Sequence, residues 1–322
     1  MRGTPVGYTA YFYQESQDWD RWSYDMDRLQ ELGATTIRSG FVPWEVEPVH
    51  LDHVERCLLD CQARGIDVML TTAQLANNGD QTVDEAIASG SAYIARLAPR
   101  FAPYARWWQV LNEHDHASWL DQSYLGDVYV AATNSSQRRP GMTDAYLESL
   151  RDVVALSREA IHAANPDCAV GTTTTGVSMD TACEQYIWRP FYDVVSPAVD
   201  WIGINGYPMK WMQMYQEIPA RLRRTSIRYG KPVLMTECGH PTNGSEDEPT
   251  IMELLAHQID RMTRSTSVDG VWLYQLRDRA DDPESAEACF GTLRYDGTWK
   301  DGWRAVRFAL RSITDDLGPN PR

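Results

Sequence analysis

The chain of 322 residues is short of positive charge, of phenylalanine and of long apolar runs. Thirty Lys and Arg face forty-five Asp and Glu, a formal net charge of −15. A surface for nucleic acid or anionic lipid needs clustered cations to neutralise phosphates, so neither partner is expected. No run of about 18 apolar residues occurs, and no segment reads as a membrane-spanning helix. Met1 to Pro5 lead straight into an aromatic stretch without the apolar core of a secretory signal, so a soluble, cytoplasmic protein is expected. The six cysteines (Cys57, Cys61, Cys168, Cys183, Cys238 and Cys289) include no CxxC pair. Cys57 and Cys61 stand one helical turn apart, as two buried thiols would. Neither a disulfide framework nor a zinc cluster fits these spacings.

Hydrophobic residues at 43% and charged ones at 23% are globular values and exclude a disordered chain. Against only six Phe stand twelve Trp and sixteen Tyr. Rings with a polar handle suit a wet, concave binding surface as well as a core.

Short runs rich in Val, Ile and aromatics alternate with amphipathic stretches. Strands are expected near Val6–Tyr13, Thr35–Phe41, Ile66–Thr72, Trp107–Leu111, Ala169–Thr174, Trp201–Asn205, Val233–Thr236 and Val271–Gln275. Between them, Trp22, Met26 and Leu29 share one helical face that ends at Gly33. Leu51, Val54, Leu58 and Cys61 do the same before Gly65, and Ile251, Leu254, Leu255, Ile259 and Met262 form a third stripe. Eight strand–helix units predict a (β/α)8 barrel, a single α/β domain over residues 1–322. A doubly wound sheet is the competitor, but the first strand lacks a GxGxxG turn. From His114 to about Met142 the chain shows no regular pattern. In a barrel this stretch lies on the catalytic face, and a functional lid is expected there.

Two expected strands end in carboxylates. Trp107-Trp108-Gln109-Val110-Leu111-Asn112-Glu113 ends the fourth, and Pro232-Val233-Leu234-Met235-Thr236-Glu237 ends the seventh. Two such groups across a cleft can divide glycosidic hydrolysis between them. One is held protonated for the leaving oxygen; the other is ionised to attack or to activate water.

At this point the chain resembles the clan A glycoside hydrolases, with features of families 5, 39 and 42. The likeness runs along most of its length. Arg38 with Phe41-Val42-Pro43-Trp44-Glu45-Val46-Glu47-Pro48 resembles the second-strand segment, and Asn112-Glu113 the acid/base motif. Ile202-Gly203-Ile204-Asn205-Gly206-Tyr207-Pro208 is similar to the sixth-strand motif, and Lys231 to Glu237 to the nucleophile strand. Phe290-Gly291-Thr292-Leu293-Arg294-Tyr295-Asp296-Gly297-Thr298-Trp299-Lys300 resembles the closing segment.

The resemblance implies a retaining enzyme that acts on O-glycosidic bonds, with Glu113 as acid/base and Glu237 as nucleophile about 5 to 5.5 Å apart. It implies Arg38 and Tyr207 beside Glu237, Asn112 on the sugar 2-hydroxyl, and Trp272 (alternatively Tyr274) as the apolar floor of the pocket. Asn205 joins the substrate-binding set. Trp44 and Trp119, on loops at the catalytic end, are expected as stacking platforms. The partner is a carbohydrate; no cofactor and no metal are expected. Family 5 enzymes usually carry His where Gln74 (or a neighbour) and Asn205 stand here, and His114-Asp115-His116 replaces the commoner Pro after the acid/base. His114 and His116 suit loop or sugar contacts, or metal ligands without an evident third. Trp211, Met212, Met214 and Tyr215 suit a further subsite or a surface helix. A catalytically silent carbohydrate-binding barrel is the alternative function; a metal-dependent hydrolase would want more strand-end His and Asp.

Overall fold

Inward and outward side chains alternate along eight short strands, and their hydrogen bonding closes on itself. The computed structural model describes residues 4–12, 19–41, 48–72, 83–113, 125–131, 138–142, 144–175, 189–207, 218–243, 247–264, 268–282 and 284–315. The chain begins β1 (Val6–Thr9), α1 (Trp19–Leu32), β2 (Thr36–Phe41), α2 (Pro48–Arg64), β3 (Asp67–Thr72), α3 (Val83–Phe101) and β4 (Trp107–Asn112). It continues with β5 (Leu125–Ala131), β6 (Arg138–Met142), α4 (Asp144–Ala164), β7 (Ala169–Thr175), α5 (Arg189–Val195) and β8 (Trp201–Asn205). Last come α6 (Ile218–Tyr229), β9 (Val233–Cys238), α7 (Glu248–Arg264), β10 (Gly270–Leu273) and α8 (Trp303–Asp315). Strands β1, β2, β3, β4, β7, β8, β9 and β10 pair in parallel, in that order, and β10 returns to β1. The (β/α)8 barrel expected from the repeat is present.

The helices bury the faces that the sequence marks. On α1, Trp22, Met26, Leu29 and Leu32 are buried; on α2, Val54, Cys57, Leu58 and Cys61 are. Gly33, at φ 91°, follows α1 in the left-handed region where a Cβ is costly.

Inside the barrel, Met69, Trp107, Trp201, Leu234 and Trp272 form a lower plug separate from the sheet–helix core. Room for its indoles comes from inward glycines. A Cβ on Gly171 would sit 2.3 Å from the Trp201 ring, and one on Gly270 2.7 Å from the Trp272 ring. Bulk is matched by its absence nearby, across neighbouring strands for Trp201 and Gly171 and along β10 for Trp272 and Gly270, which keeps the interior dense.

Three register shifts interrupt the strict alternation of the barrel, all towards the C-terminal ends of strands, one of them between Val271 and Leu273 where β10 meets β9. Between Gln109 and Asn112 the β4–β7 register shifts, and Leu111 takes φ 68° and Glu113 φ 55°. Between Ile204 and Asn205 the β8–β9 register also shifts, so that Asn205 pairs with Glu237. A bulge re-aims the side chains beyond it.

The stretch expected to be irregular, residues 114–142, is corrected in part. Leu125–Ala131 and Arg138–Met142 pair as an antiparallel two-stranded ribbon. Val128, Tyr129 and Val130 favour extended backbone, a local signal too short to stand out among polar neighbours.

Candidate active site

Polar residues that would be costly in a barrel core replace the apolar plug one layer higher. Arg38 on β2 is 5% exposed, so its guanidinium must be fully partnered. Its Nη1 lies 2.7 Å from Glu237 Oε1 at the end of β9. Its Nε donates to Gln109 Oε1 at 2.7 Å and its Nη2 to Asn112 Oδ1 at 2.9 Å, both on β4. The other Glu237 oxygen, Oε2, accepts from the Tyr207 hydroxyl at 2.6 Å. Burial, then the charge of Glu237, pushes the Tyr207 phenol well above its ordinary range, so it stays a donor. One cation and one hydroxyl thus meet the two oxygens of a buried carboxylate.

Glu113 belongs to the same net. Asn205 Nδ2, at the end of β8, donates to Glu113 Oε1 at 2.9 Å and to Asn112 Oδ1 at 3.2 Å. Asn205 Oδ1 lies 2.7 Å from the Thr236 hydroxyl and 3.2 Å from that of Thr173, and the two hydroxyls are 2.6 Å apart, so one donates to Asn205 and the other to its fellow threonine. Gln109 Nε2 adds a third donor to Asn112 Oδ1, at 2.9 Å. The bulges decide this convergence. On β9, Thr236 bonds inward to Asn205, and Glu237 directly after it also faces inward onto Arg38. Regular alternation would send Glu237 towards the helices. Glu113 is reached through its left-handed backbone, a conformation that non-glycine residues adopt mainly where surrounding structure holds them.

An aromatic wall flanks the carboxylates. The ring of Tyr207 meets Phe290 edge-on at 5.5 Å and Tyr274 at 6.2 Å, and Tyr274 meets Phe290 at 5.4 Å. The hydroxyl of Tyr274 pairs with Tyr11 at 3.2 Å and donates to Glu287. Burial raises the Tyr274 phenol far above its ordinary value, with Tyr11 and Glu237 adding to the rise.

Of the expected residues, Arg38, Asn112, Glu113, Asn205, Tyr207 and Glu237 converge, with Tyr274 beside them. Trp272 is corrected. It is fully buried in the lower plug, edge-on to Trp107 at 5.2 Å, one inward position below Tyr274. Alternation puts both rings on the inner face, but depth along the strand separates them. Asn205 is corrected as a sugar contact: it is fully buried, and both its amide hydrogens and its oxygen are used within the protein. Trp44, Trp119, Gln74, His114, His116, Trp211, Met212, Met214 and Tyr215 lie outside the described residues. Cys238, next to Glu237, is buried; burial and then that carboxylate push its thiol up, which makes it a poor nucleophile.

Gln109, Thr173, Thr236, Tyr11, Glu287 and Phe290 complete the site without standing out in the sequence. For Gln109 and Thr173 a signal exists, since each is polar at an inward position of a buried strand. Tyr11, Glu287 and Phe290 follow strands at distances that carry no such signal. Among the described residues no group of three or more His, Cys, Asp and Glu is placed to hold a metal ion.

No protein-family model matches the sequence, and no curated protein does. Solved structures resemble it in fold. The beta-glycosidase BGL167 superposes with TM-score 0.67 at 18% identity, over 94% of this chain and 88% of that one. A family 39 glycoside hydrolase from Bacteroides cellulosilyticus WH2 gives TM-score 0.71 at 16% identity, over 96% of this chain and 64% of the other. The family 1 beta-glucosidase from Thermotoga maritima gives 0.71 at 15% identity, over 99% and 98%. The chain thus has the barrel fold of these glycoside hydrolases, and its match with the family 39 enzyme spans under two thirds of that chain.

Proposed function

We propose that the protein is a retaining glycoside hydrolase that cleaves O-glycosidic bonds of a carbohydrate by double displacement. One observation carries this: the Glu237 carboxylate, gripped by Arg38 and Tyr207, sits in one hydrogen-bonded net with Glu113 at the mouth of the barrel. Fold likeness to glycosidases agrees with it, and the chemistry follows from the residues.

Glu237 attacks the anomeric carbon. Arg38 pairs with one of its oxygens in a buried setting, and Tyr207 donates to the other. Glu113 gives its proton to the leaving oxygen as the bond breaks. It then takes one from water, which releases the sugar from Glu237. Asn112 has its oxygen committed to three donors, so its N–H group is the part presented to a sugar hydroxyl. Tyr274 and Phe290 provide the apolar wall for the ring in place of Trp272. Asp and Glu in excess suit neutral or cationic sugars better than polyanionic ones.

The test is covalent trapping. A panel of 2-deoxy-2-fluoro glycosides with activated leaving groups should label the enzyme once, and digestion should place the label on Glu237. Glu237→Gly should abolish turnover, with part of it restored by azide. A label on another residue, or undiminished turnover by Glu237→Gly, would overturn the assignment.

A further inference from the structure

Lys300 is one of only three lysines among thirty basic residues, so an ammonium here stands out against the arginines used elsewhere. Thr298 and Asp301 beside it are exposed, yet its own side chain turns inward and is 1% exposed. Its Nζ donates to Thr242 Oγ1 at 2.7 Å, to Asp278 Oδ1 at 2.8 Å and to the Cys289 carbonyl at 2.9 Å. Thr242 follows β9, the strand of Glu237, whereas Asp278 and Cys289 follow β10. One cation thus joins the connections that leave two neighbouring strands at the mouth of the barrel. Three bonds from a single atom suit an ammonium, whereas a guanidinium aims its donors within one plane. A buried charge is costly, and an apolar side chain of similar size would fill the space without that cost. The bonds themselves are therefore what the position calls for.

Those bonds hold the backbone on both sides of Phe290. The Cys289 carbonyl, just before it, also accepts from the Thr242 N–H at 3.0 Å and the Thr242 hydroxyl at 3.1 Å. Just after it, the Gly291 N–H donates at 2.7 Å to Asp278 Oδ1, the oxygen that Lys300 also meets. Peptide units are planar, so holding the units before and after Phe290 fixes its φ and ψ. Only the side-chain torsions remain to the ring. That ring stands 5.5 Å from Tyr207 and 5.4 Å from Tyr274, and Tyr207 donates to Glu237 at 2.6 Å. We propose that Lys300, with Asp278 as its counter-charge, is a positioning residue that sets Phe290 against Tyr207 and Tyr274. All three of its N–H groups are used within the protein, so it shapes the wall without touching a sugar.

This inference rests on the proposed role of the Tyr274–Phe290 wall, and its test has one arm that needs no activity. Lys300→Met alone would leave Asp278 as a buried, unpaired charge and could unfold the chain. It is therefore combined with Asp278→Asn, which retains an oxygen for the Gly291 N–H. Crystal structures of wild type and this double variant are superposed on the eight strands. The Phe290 ring should move from Tyr207 by about 1 Å or more, the scale at which a supporting shell becomes too loose. A ring that stays in place overturns the inference whether or not any glycoside is hydrolysed. The second arm is a mutant cycle. On the wild-type background the double change should raise KM for an aryl glycoside by about tenfold, a coupling typical of residues in contact. On a Phe290→Ala background it should alter KM by less than about twofold, because the ring it would misplace is gone. Equal rises on both backgrounds mark a merely structural residue and overturn the inference. If the double variant does not fold, Thr242→Val, which removes one acceptor and no charge, goes through both arms with the same deciding outcomes. If wild type cleaves no glycoside, the proposed function falls, and the crystal structures alone decide whether Lys300 holds Phe290.

Discussion

Trp272 and Tyr274 show how two inward side chains along one stretch of chain divide between the buried plug and the wall of the candidate site. Trp272 packs its whole indole against Met69, Trp107, Trp201 and Leu234, with Gly270 leaving space for it. Truncating such a ring removes buried apolar area and leaves a cavity, at a cost of roughly 3 to 5 kcal/mol. Trp272→Ala should therefore lower the unfolding free energy from urea titration by about that amount, while the KM of the folded fraction changes little. Tyr274→Ala should in addition raise KM, because its buried ring stands in the wall beside Tyr207 and Phe290. Equal stability of Trp272→Ala and wild type would place the ring outside the core and refute this division. The polar layer above the plug follows the same economy. Arg38, Gln109, Asn112, Asn205, Thr173 and Thr236 are tolerated there because they satisfy one another.

At the level of elements, the opposite end of the barrel is tied by charge. Asp200, just before β8, accepts from Arg158 on α4 at 2.6 Å and from the Val170 N–H of β7 at 2.9 Å. His162 on α4 lies 3.1 Å from Oδ2, the oxygen that the Val170 N–H also meets. Burial pulls the Asp200 carboxyl up, but the hydrogen bonds and charges of Arg158, Val170 and His162 together hold it below its ordinary value. A carboxyl lowered in the folded state stabilises above its unfolded pKa, and that contribution fades as pH falls through the folded one. Asp200→Asn should unfold earlier than wild type at pH 7, and the gap should close below about pH 4. A gap that stays constant down to pH 3 would show that Asp200 acts through shape alone. Partial exposure of Arg158 and Asp200 keeps the expected effect modest.

Over the whole molecule, the charge changes of the proposed reaction are met by groups of the chain itself. In that proposal Arg38 and Tyr207 serve the attacking carboxylate, and Glu113 moves the proton. Dialysis against EDTA should therefore leave glycosidase activity unchanged; a loss restored by one divalent ion would count against the mechanism. Among the described residues no helix is long and apolar enough to cross a membrane. The barrel also explains why residues as distant in sequence as Arg38 and Glu237 meet: parallel strands deliver their C-terminal ends to one face.

Much of this was legible along the chain. Eight apolar runs alternating with helical stripes specify the barrel, because each buried face has the period of its own element. Asn112-Glu113 and Thr236-Glu237 mark the end of the barrel proposed as catalytic, because carboxylates that close buried strands need a reason to be there. Only the closed barrel decided the rest. The β4 and β8–β9 bulges turn Asn112 and Glu237 into the mouth against simple alternation. Depth along β10 sends Trp272 to the plug and leaves the wall to Tyr274. The amide of Asn205 takes its direction from Arg38 through Asn112 and from threonines on two other strands. Register, depth and hydrogen-bond direction depend on neighbours that are remote in sequence, so no local pattern encodes them.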